Sequence, residues 1–318
     1  MHAILAIVAP VFCVIFAGWL AARSGYLSAE AGKILSEFAF KIAMPALLFR
    51  AMLQIGEIPG TPWKLVAAYY GAILLVWPTA ALLTRFVLRR PAADGASIAM
   101  GSCFGNTVML GIPLGLSAFG PEAAAPIALL ISLDTPILWI LATFHVEWAE
   151  RQGGAGALAN AKAVAFDLIR NPIVSALVLG TAWRLSGLAM PEILDKPIAL
   201  VAQGAVPSAL FALGMTLAAF QIKGQFPTLA AICILKMLLL PVFVTILAVY
   251  VLALPPLWAA IAVLFAAMPV GANAYLFAAR YDRAVRSVSA AIAISTALAI
   301  VTVSLVLYLV GAPVGSAQ

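Results

Sequence analysis

GNTVMLGIP, from Gly105 to Pro113, interrupts a strongly apolar part of this chain with glycine, proline and polar side chains. A second such run, MPVGANAY from Met268 to Tyr275, interrupts another apolar segment. A helix that breaks inside a bilayer leaves backbone N–H and C=O groups without partners, at a cost of several kcal/mol each. Such breaks persist where they line a cavity or a ligand site. Two breaks in corresponding positions of two halves predict the binding site of a secondary transporter.

The composition places the chain in a membrane. Of its 318 residues, 65% are hydrophobic and 9% are charged, and the mean hydropathy is +1.11, whereas soluble domains carry about 25% charged residues. This composition excludes a soluble domain and predicts an all-α polytopic membrane protein. About ten apolar segments are long enough to cross a hydrocarbon core of about 30 Å. The predicted transmembrane helices cover residues 3–22, 30–53, 63–88, 95–119, 122–148, 163–186, 192–220, 226–253, 257–279 and 285–311.

The first segment reads as a retained helix. Before the apolar run that starts at residue 3 there is no basic region, and the run is long enough to span the membrane, so a signal peptide is not expected.

The three cysteines do not indicate a functional site. Cys13, Cys103 and Cys233 lie far apart in sequence, which predicts neither a disulfide framework nor a metal site. No motif calls for a cofactor.

Lys and Arg are distributed asymmetrically over the loops between the predicted helices. With the N-terminus outside, the inner loops hold twelve of the eighteen basic residues and the outer loops hold three. Because cytoplasmic loops carry the excess of Lys and Arg, we expect both termini outside. The net charge of +6 therefore reflects orientation in the membrane, and it does not imply a nucleic-acid partner.

The two halves of the chain repeat each other with a shift of 162 residues. Because each half has five predicted helices, the second half must enter the membrane in the opposite direction, as in the inverted repeats of many transporters. We predict a first five-helix repeat over 1–150, a cytoplasmic linker over 151–160 and a second repeat over 161–318. The matched pairs that carry the repeat are Pro10 with Pro172, Gly18 with Gly180, Glu30 with Glu192, Pro45 with Pro207, Phe49 with Phe211 and, after one inserted residue, Pro78 with Pro241.

The break in the fourth segment supplies the first group of candidate substrate-binding residues. Pro113 removes a backbone donor, and Gly111 loosens the same region. Asn106 and Thr107 stand at the break and can bond to backbone or to a ligand. Because proline suits the first turn of a helix, we expect Pro113 to open a half-helix directed toward the outside.

The break in the ninth segment supplies the second group. Pro269 and Gly271 lie at the break and Asn273 lies just beyond it, so a second half-helix is expected to open near Asn273 toward the inside. Each half-helix N-terminus carries about half a positive charge. Two such ends with two carboxamides predict a pocket for an anion, most simply a carboxylate. The alternative is a pair of proline kinks, with asparagine side chains that bond between helices.

Three ionisable residues fall in the middle of predicted helices, where charges are costly and face a cavity or each other. Asp134 could carry a coupling proton, because burial disfavours the charged form of a carboxyl group. Equally, it could form a structural pair with Lys236 or Lys41, or a hydrogen bond to the broken helix. Lys236 could attract an anionic substrate, but extension of its ammonium group to the inner interface is the favoured interpretation.

Two further residues lie nearer the ends of their predicted helices. Arg50 is expected to extend its charged end to the outer interface. His145, near the inner end of the fifth segment, is expected to be an interfacial residue and not a proton relay.

The motifs reached so far resemble the auxin efflux carrier family, which includes bacterial malonate-type carriers and plant auxin exporters. The resemblance extends over essentially the whole chain. Its most specific elements are GNTVMLGIPLG in the fourth segment and MPVGANAYLFAARYD in the ninth, supported by NPIVSALVLG and VPSALFALGMTL. The chain lacks the long central loop of many plant members and so looks like a bacterial member. It departs from the family at Val108, where a small glycine is common, which changes the expected size of the pocket.

The resemblance implies a fold related to the bile acid:sodium symporters, with ten helices in two inverted five-helix repeats and broken helices four and nine crossing at the site. It implies a scaffold of helices one, two, six and seven and a transport domain of helices three to five and eight to ten. It further implies elevator-type movement of the transport domain, a homodimer through the scaffold helices and a location in the cell inner membrane. By residue match, Asn106, Pro113, Pro269 and Asn273 fall on the two crossing motifs.

The sequence therefore predicts a secondary transporter that moves a small organic anion, malonate-like or another carboxylate, and no enzyme activity. A sodium-coupled symporter of the bile acid type is an alternative, although no acidic cluster that would cage sodium is found in the sequence. A membrane sensor that binds a ligand without moving it is a second alternative, and the absence of an attached signalling domain argues against it. An intramembrane hydrolase is disfavoured, because no nucleophile–base or metal-binding arrangement lies on adjacent segments.

Overall fold

The computed structural model describes residues 2–54, 62–150, 172–220 and 226–311, and within these ranges regular structure is helical. A lone β-bridge joins Gly105 and Val270. The predicted linker over 151–160 and the start of the sixth predicted helix lie outside the described residues. The helices are α1 (His2–Arg23), α2 (Ala29–Phe38, Ala39–Ala43 and Met44–Gln54 in succession), α3 (Pro62–Leu82 continued by Leu83–Val87), α4a (Asp94–Cys103), α4b (Thr107–Gly111 continued by Ile112–Phe119), α5 (Pro121–Ala123 continued by Ala124–Ala149), α6 (Pro172–Leu185), α7 (Glu192–Gln203 and Ala205–Ala219), α8 (Phe226–Ile234, Leu235–Leu239, Leu240–Thr245 and Ile246–Val251), α9a (Pro256–Ala266), α9b (Ala272–Tyr281) and α10 (Val285–Leu309).

Six of these helices are long and apolar enough to cross a membrane by length and composition. They are α1, α3, α5, α7, α8 and α10. Helix α2 is also long but carries five charged residues, and α4b, α6 and α9a are shorter apolar helices. The chain is therefore a polytopic helical membrane protein, as its composition predicts.

The fourth and ninth predicted segments are each divided into two helices. The first division follows Cys103, where the extended backbone of Phe104 ends α4a. The second follows Ala266 and lasts until Ala272, the first residue of α9b. Both divisions overlap the runs that the sequence marks as breaks, and each begins one residue before its run. One detail of the prediction is wrong, because helical backbone resumes at Thr107, six residues before Pro113.

Pro113 has a different role from the one expected. The turn over Thr107–Gly111 is a wide π-helical turn, and the regular α-helix starts only at Ile112, which places Pro113 in its first turn. A proline lacks the backbone N–H and crowds the preceding turn. A π-helical turn directly before the proline relieves this conflict, so Pro113 shapes α4b after it has begun.

Two groups of helices pack mainly within themselves. Helix α1 lies along α7, while α2 lies against both α6 and α7. The other group joins α3, α4a and α5 with α8, α9a, α9b and α10. Further contacts, such as those of α1 with α10 and of α2 with α5, connect the groups.

Two repeat-related glycines make reciprocal close contacts inside the first group. Gly18 of α1 packs against the backbone carbonyl of Phe211 in α7. Gly180 of α6 packs against α2, where an added Cβ would lie 2.8 Å from the carbonyl oxygen of Phe49. Close approach of two helix backbones requires small residues at such points in a membrane protein. The contacts relate the same two sequence positions in opposite halves of the chain.

Ion pairs tie several helix ends together. The Arg283 guanidinium contacts Glu150 at 2.6 Å and Asp94 at 3.8 Å, and Arg90 donates to Asp94 at 2.8 Å. These pairs bring the end of α5, the start of α4a and the loop before α10 to one end of the molecule.

Arg50 has a specific partner that the sequence expectation did not include. Its guanidinium forms two hydrogen bonds with the carboxylate of Asp195, at 2.8 and 3.1 Å. The pair joins α2 to α7 and is about two-thirds buried, since the two side chains are 30% and 34% exposed. The sequence could not show this partner, because 145 residues separate the two positions.

Candidate functional site

The two breaks cross each other and are joined by backbone hydrogen bonds. The amide of Asn106 donates to the carbonyl oxygen of Pro269 at 2.7 Å, and the amide of Gly271 donates to the carbonyl oxygen of Phe104 at 3.0 Å. These bonds satisfy backbone groups that the helix ends would otherwise leave without partners. Breaking both helices at the same place therefore costs less than breaking either one alone.

At the crossing, the other backbone lies too close to Gly271 for any residue with a Cβ atom. A Cβ added at Gly271 would lie 2.5 Å from the carbonyl oxygen of Gly105 and 2.8 Å from the ring of Phe104. The backbone of Gly271 itself has φ −87° and ψ 154°, which any residue can adopt. The restriction at Gly271 is thus the approach of a second backbone and not a special conformation.

A cavity of about 330 Å3 opens beside the crossing. Its wall includes the first residues of α4b and the first residues of α9b, where backbone N–H groups have no carbonyl of a preceding turn to bond. Helix α5 supplies a further part of the wall. The residues that line the cavity are Phe40, Phe104, Gly105, Asn106, Thr107, Val108, Met109, Ile131, Asp134, Thr135, Ile173, Gly271, Ala272 and Asn273.

Four of the seven predicted substrate-binding residues lie at this cavity. They are Asn106, Thr107, Gly271 and Asn273. The other three support the crossing from outside the cavity wall, each in a different way.

Gly111 faces the ring of Phe265, which an added Cβ would approach to 3.3 Å. Pro113 is buried inside α4b. Pro269 contributes its backbone carbonyl to the crossing. All three shape the region without facing its open space.

Asp134 places a carboxylate against the start of α4b. The side chain is 2% exposed, and the Thr107 hydroxyl donates to its Oδ2 at 3.3 Å. Its Oδ1 is buried and has no hydrogen-bond partner among the described residues. The geometry therefore provides a hydrogen bond to the broken helix together with a buried carboxylate oxygen that has no partner among the described residues.

Lys236 lies beside the crossing, and the favoured expectation for it is wrong. Its side chain is fully buried and does not reach an interface. The ammonium group donates to the carbonyl oxygen of Ala266 at 2.8 Å, at the C-terminal end of α9a. A cation is favourable there, because a helix C-terminus carries partial negative charge. Lys236 also interacts electrostatically with Asp134, although the two form no direct ion pair.

Lys41 and His145 each have a partner that the sequence could not identify. Lys41 does not approach Asp134 but pairs with Glu37 on the exposed side of α2, at 3.2 Å. His145 is half-buried near the end of α5, and its Nδ1 accepts a hydrogen bond from the Trp77 indole at 3.1 Å. Among the residues with described side chains, no group of His, Cys, Asp and Glu is placed to hold a metal ion.

Ser295 is a residue that sequence reasoning missed. It is fully buried in α10, and its hydroxyl accepts a hydrogen bond from the backbone amide of Val270 at 3.0 Å. The bond holds the backbone of the second break in place. Serine is too common in apolar helices for its position alone to mark such a role.

Comparisons with known proteins agree with this architecture. A family described as "Membrane transport protein" matches residues 3–307. A protein of Rhizobium meliloti (strain 1021), whose name gives malonate transport as its provisional function, is 29% identical over 314 residues, with 98% of this chain and 97% of that protein covered. Auxin efflux carrier component 8 of Arabidopsis thaliana is 25% identical over 325 residues, with 86% of this chain and 88% of that protein covered.

The match extends from the first helix to the last, and it includes both broken segments. It confirms the resemblance derived from the two crossing motifs. The relatives are named as transporters and not as enzymes. The chain belongs to the membrane transport protein family that includes the auxin efflux carriers.

Proposed function

We propose that this protein is a secondary transporter that moves a small organic anion, malonate or a similar carboxylate, across the cell inner membrane. One observation carries the proposal: the first turns of α4b and α9b line the same cavity. Each helix N-terminus presents free backbone N–H groups and about half a positive charge. Asn106 and Asn273 add a carboxamide to each end. Two facing positive ends suit a solute with two carboxylates.

The size of the cavity favours a small substrate. Sites for small molecules have volumes of about 300–1,000 Å3, and this cavity, at about 330 Å3, is near the lower limit. Val108 occupies part of its wall, at the position where the resemblance leads us to expect a glycine. A malonate-sized anion fits these dimensions better than a bulky aromatic acid, and the name of the Rhizobium relative points the same way.

The proposed transport cycle uses ten helices in two inverted repeats. The reciprocal contacts of Gly18 with Phe211 and of Gly180 with Phe49 support the repeat, because each pair joins the same two positions of opposite halves. The packing of α1, α2, α6 and α7 among themselves supports a scaffold, with the remaining helices as the transport domain. Sliding of that domain along the scaffold would carry the crossing from one side to the other. A homodimer through the scaffold and both termini outside complete the proposal.

Proton coupling through Asp134 is the finer part of the proposal. Asp134 lines a cavity that must also accept an anion, and its buried Oδ1 has no hydrogen-bond partner among the described residues. A proton on that oxygen removes the repulsion between the carboxylate and the substrate. Sodium coupling is less well supported. A sodium ion would be favoured near the carbonyl oxygens at the C-terminus of α9a, but the ammonium group of Lys236 already occupies that place.

Flux measurements with variants of the two asparagines test the site. In proteoliposomes, we expect Asn106→Ala and Asn273→Ala each to lower malonate counterflow about tenfold, because each removes a carboxamide that orients a carboxylate. The matched control is Gln203→Ala, which removes an exposed carboxamide of α7 and should leave flux unchanged. Wild-type counterflow in both folded asparagine variants would show that the anion binds elsewhere. Malonate binding without any counterflow in the wild-type protein would favour a sensor.

The proton gradient provides a separate test of Asp134. We expect an inward-directed proton gradient to stimulate wild-type uptake several-fold. The reason is that a proton bound to Asp134 removes the repulsion between its carboxylate and each anion that is transported. Asp134→Asn should retain exchange without a gradient and lose the stimulation. A sodium gradient that drives uptake while a proton gradient does not would contradict this assignment and support the sodium-coupled alternative.

A further inference from the structure

A second cavity adjoins the central one. It has a volume of about 570 Å3 and lies between the end of α7, the first turns of α9b and the start of α10. Ala272 is exposed and lines both cavities, so the two share a wall residue at the start of α9b. The second cavity is therefore a neighbour of the proposed anion site.

Among the described residues that line this second cavity, Arg286 provides the only charged side chain. The residue is exposed, and its guanidinium has no ion pair or hydrogen bond within the described part of the chain. The two preceding arginines differ in this respect. Arg283 is paired with Glu150 at 2.6 Å, and Arg280 lies over the ring of Trp139 at 6.0 Å. Only Arg286 of these three presents an uncommitted positive charge to the cavity.

We propose that this cavity is an access vestibule for the transported anion, and that Arg286 draws the anion into it before transfer to the crossing. The inference rests on the proposed anion transport. It adds a second, shallower binding position and a residue that determines the rate and charge preference of loading. Under the topology predicted from the loop charges, the vestibule opens to the cytoplasm, since Arg286 lies in the first turn of α10, at its predicted inner end.

The physical basis is electrostatic focusing. A concave site lined by one sign of charge between low-dielectric walls raises the local concentration of ions of the opposite sign. The other described residues of the vestibule wall are uncharged, so they do not repel an anion. An exposed guanidinium attracts over about 10 Å at 0.1 M salt and over a shorter distance at higher salt. Loading through this cavity should therefore depend on ionic strength.

The vestibule has walls from both proposed domains. Phe220, at the end of α7, meets Tyr275 of α9b edge to face, with ring centres 5.5 Å apart. Helix α7 belongs to the proposed scaffold and α9b to the proposed moving part. A shift of one against the other must separate this aromatic pair and change the width of the vestibule. The cavity is thus placed where alternating access would open and close it.

The test uses the full-length protein in proteoliposomes, with malonate as the probe. We expect Arg286→Gln to raise the KM for malonate about 3- to 10-fold with a smaller change in kcat, because one attractive charge is lost at the vestibule. The rate of the wild-type protein should fall as salt increases from 0.05 to 0.5 M (about 14 Å to about 4 Å of screening length). The variant should lose most of that dependence, and Arg286→Lys should restore it.

The matched control is Arg85→Gln, which removes an exposed charge from an inner loop end that does not line the vestibule. It should keep the wild-type KM and salt dependence. A variant Arg286→Gln with unchanged KM and salt dependence, in a wild-type protein that does transport malonate, overturns the inference and leaves the proposed function intact. A wild-type protein that transports no carboxylate overturns the proposed function instead.

Accessibility gives a second readout that does not depend on flux. In a Cys13→Ser background, which removes the exposed native thiol, Ser289→Cys places a thiol in the vestibule wall. An anionic thiol reagent should modify it, malonate should slow the reaction, and Arg286→Gln should slow it further. Equal modification by anionic and cationic reagents, with no effect of Arg286→Gln, would also contradict the inference.

Discussion

Gly271→Ala is expected to reduce malonate flux about 100-fold while the protein still inserts and folds. The added methyl group would lie 2.5 Å from the carbonyl oxygen of Gly105, so the two backbones must move apart. That movement lengthens the hydrogen bonds between Asn106 and Pro269 and between Gly271 and Phe104. Displacement of binding groups by about 1 Å can cost about 100-fold in rate. The measurement is counterflow at equal amounts of reconstituted protein.

The control for this change is Gly71→Ala in α3. An added Cβ there would meet a methyl group of Leu247 at 3.4 Å, an ordinary contact. Because alanine also favours helix over glycine by about 1 kcal/mol, we expect normal flux and unchanged or slightly higher thermal stability. Wild-type flux in Gly271→Ala would mean that the close crossing of the two breaks is not needed for transport.

Lys236→Met is expected to destabilise the protein by about 3 kcal/mol, one of the largest effects of any single change. It leaves the carbonyl oxygen of Ala266 buried without its donor, which costs about 1–3 kcal/mol. It also removes the positive charge that interacts with buried Asp134. Loss of one partner of a buried charge pair costs about 3–5 kcal/mol for pairs in direct contact, and this pair is more distant. Denaturant titration in detergent measures the loss.

A double variant separates these two contributions. Adding Asp134→Asn to Lys236→Met removes the uncompensated carboxylate, and we expect it to restore part of the lost stability. Lys41→Met is the control, because Lys41 forms only an exposed pair with Glu37 and such pairs contribute little. If the double variant is less stable than Lys236→Met by the full effect of Asp134→Asn alone, the two charges are not coupled.

Much of the site follows from the sequence because its signals are local. Proline, glycine and asparagine in an otherwise apolar segment mark where a helix must end, wherever that segment lies in space. The position of Asn106 at the first break and that of Asn273 near the start of a half-helix could therefore be predicted from their own neighbours. The exact start at Thr107 could not, because it depends on the hydrogen bond from Asn106 to Pro269 of the other half.

The sequence by itself determined that this protein lies in a membrane, that two of its apolar segments are broken and that the breaks carry amide side chains. Only the tertiary structure decided which charges meet. It buried Lys236 at the end of α9a, paired Arg50 with Asp195 and left Arg286 free in a cavity. The physical reason is that hydropathy and backbone restrictions act within a few residues of the chain. Coulombic and hydrogen-bond partners are instead set by distances in space between residues that the sequence keeps far apart.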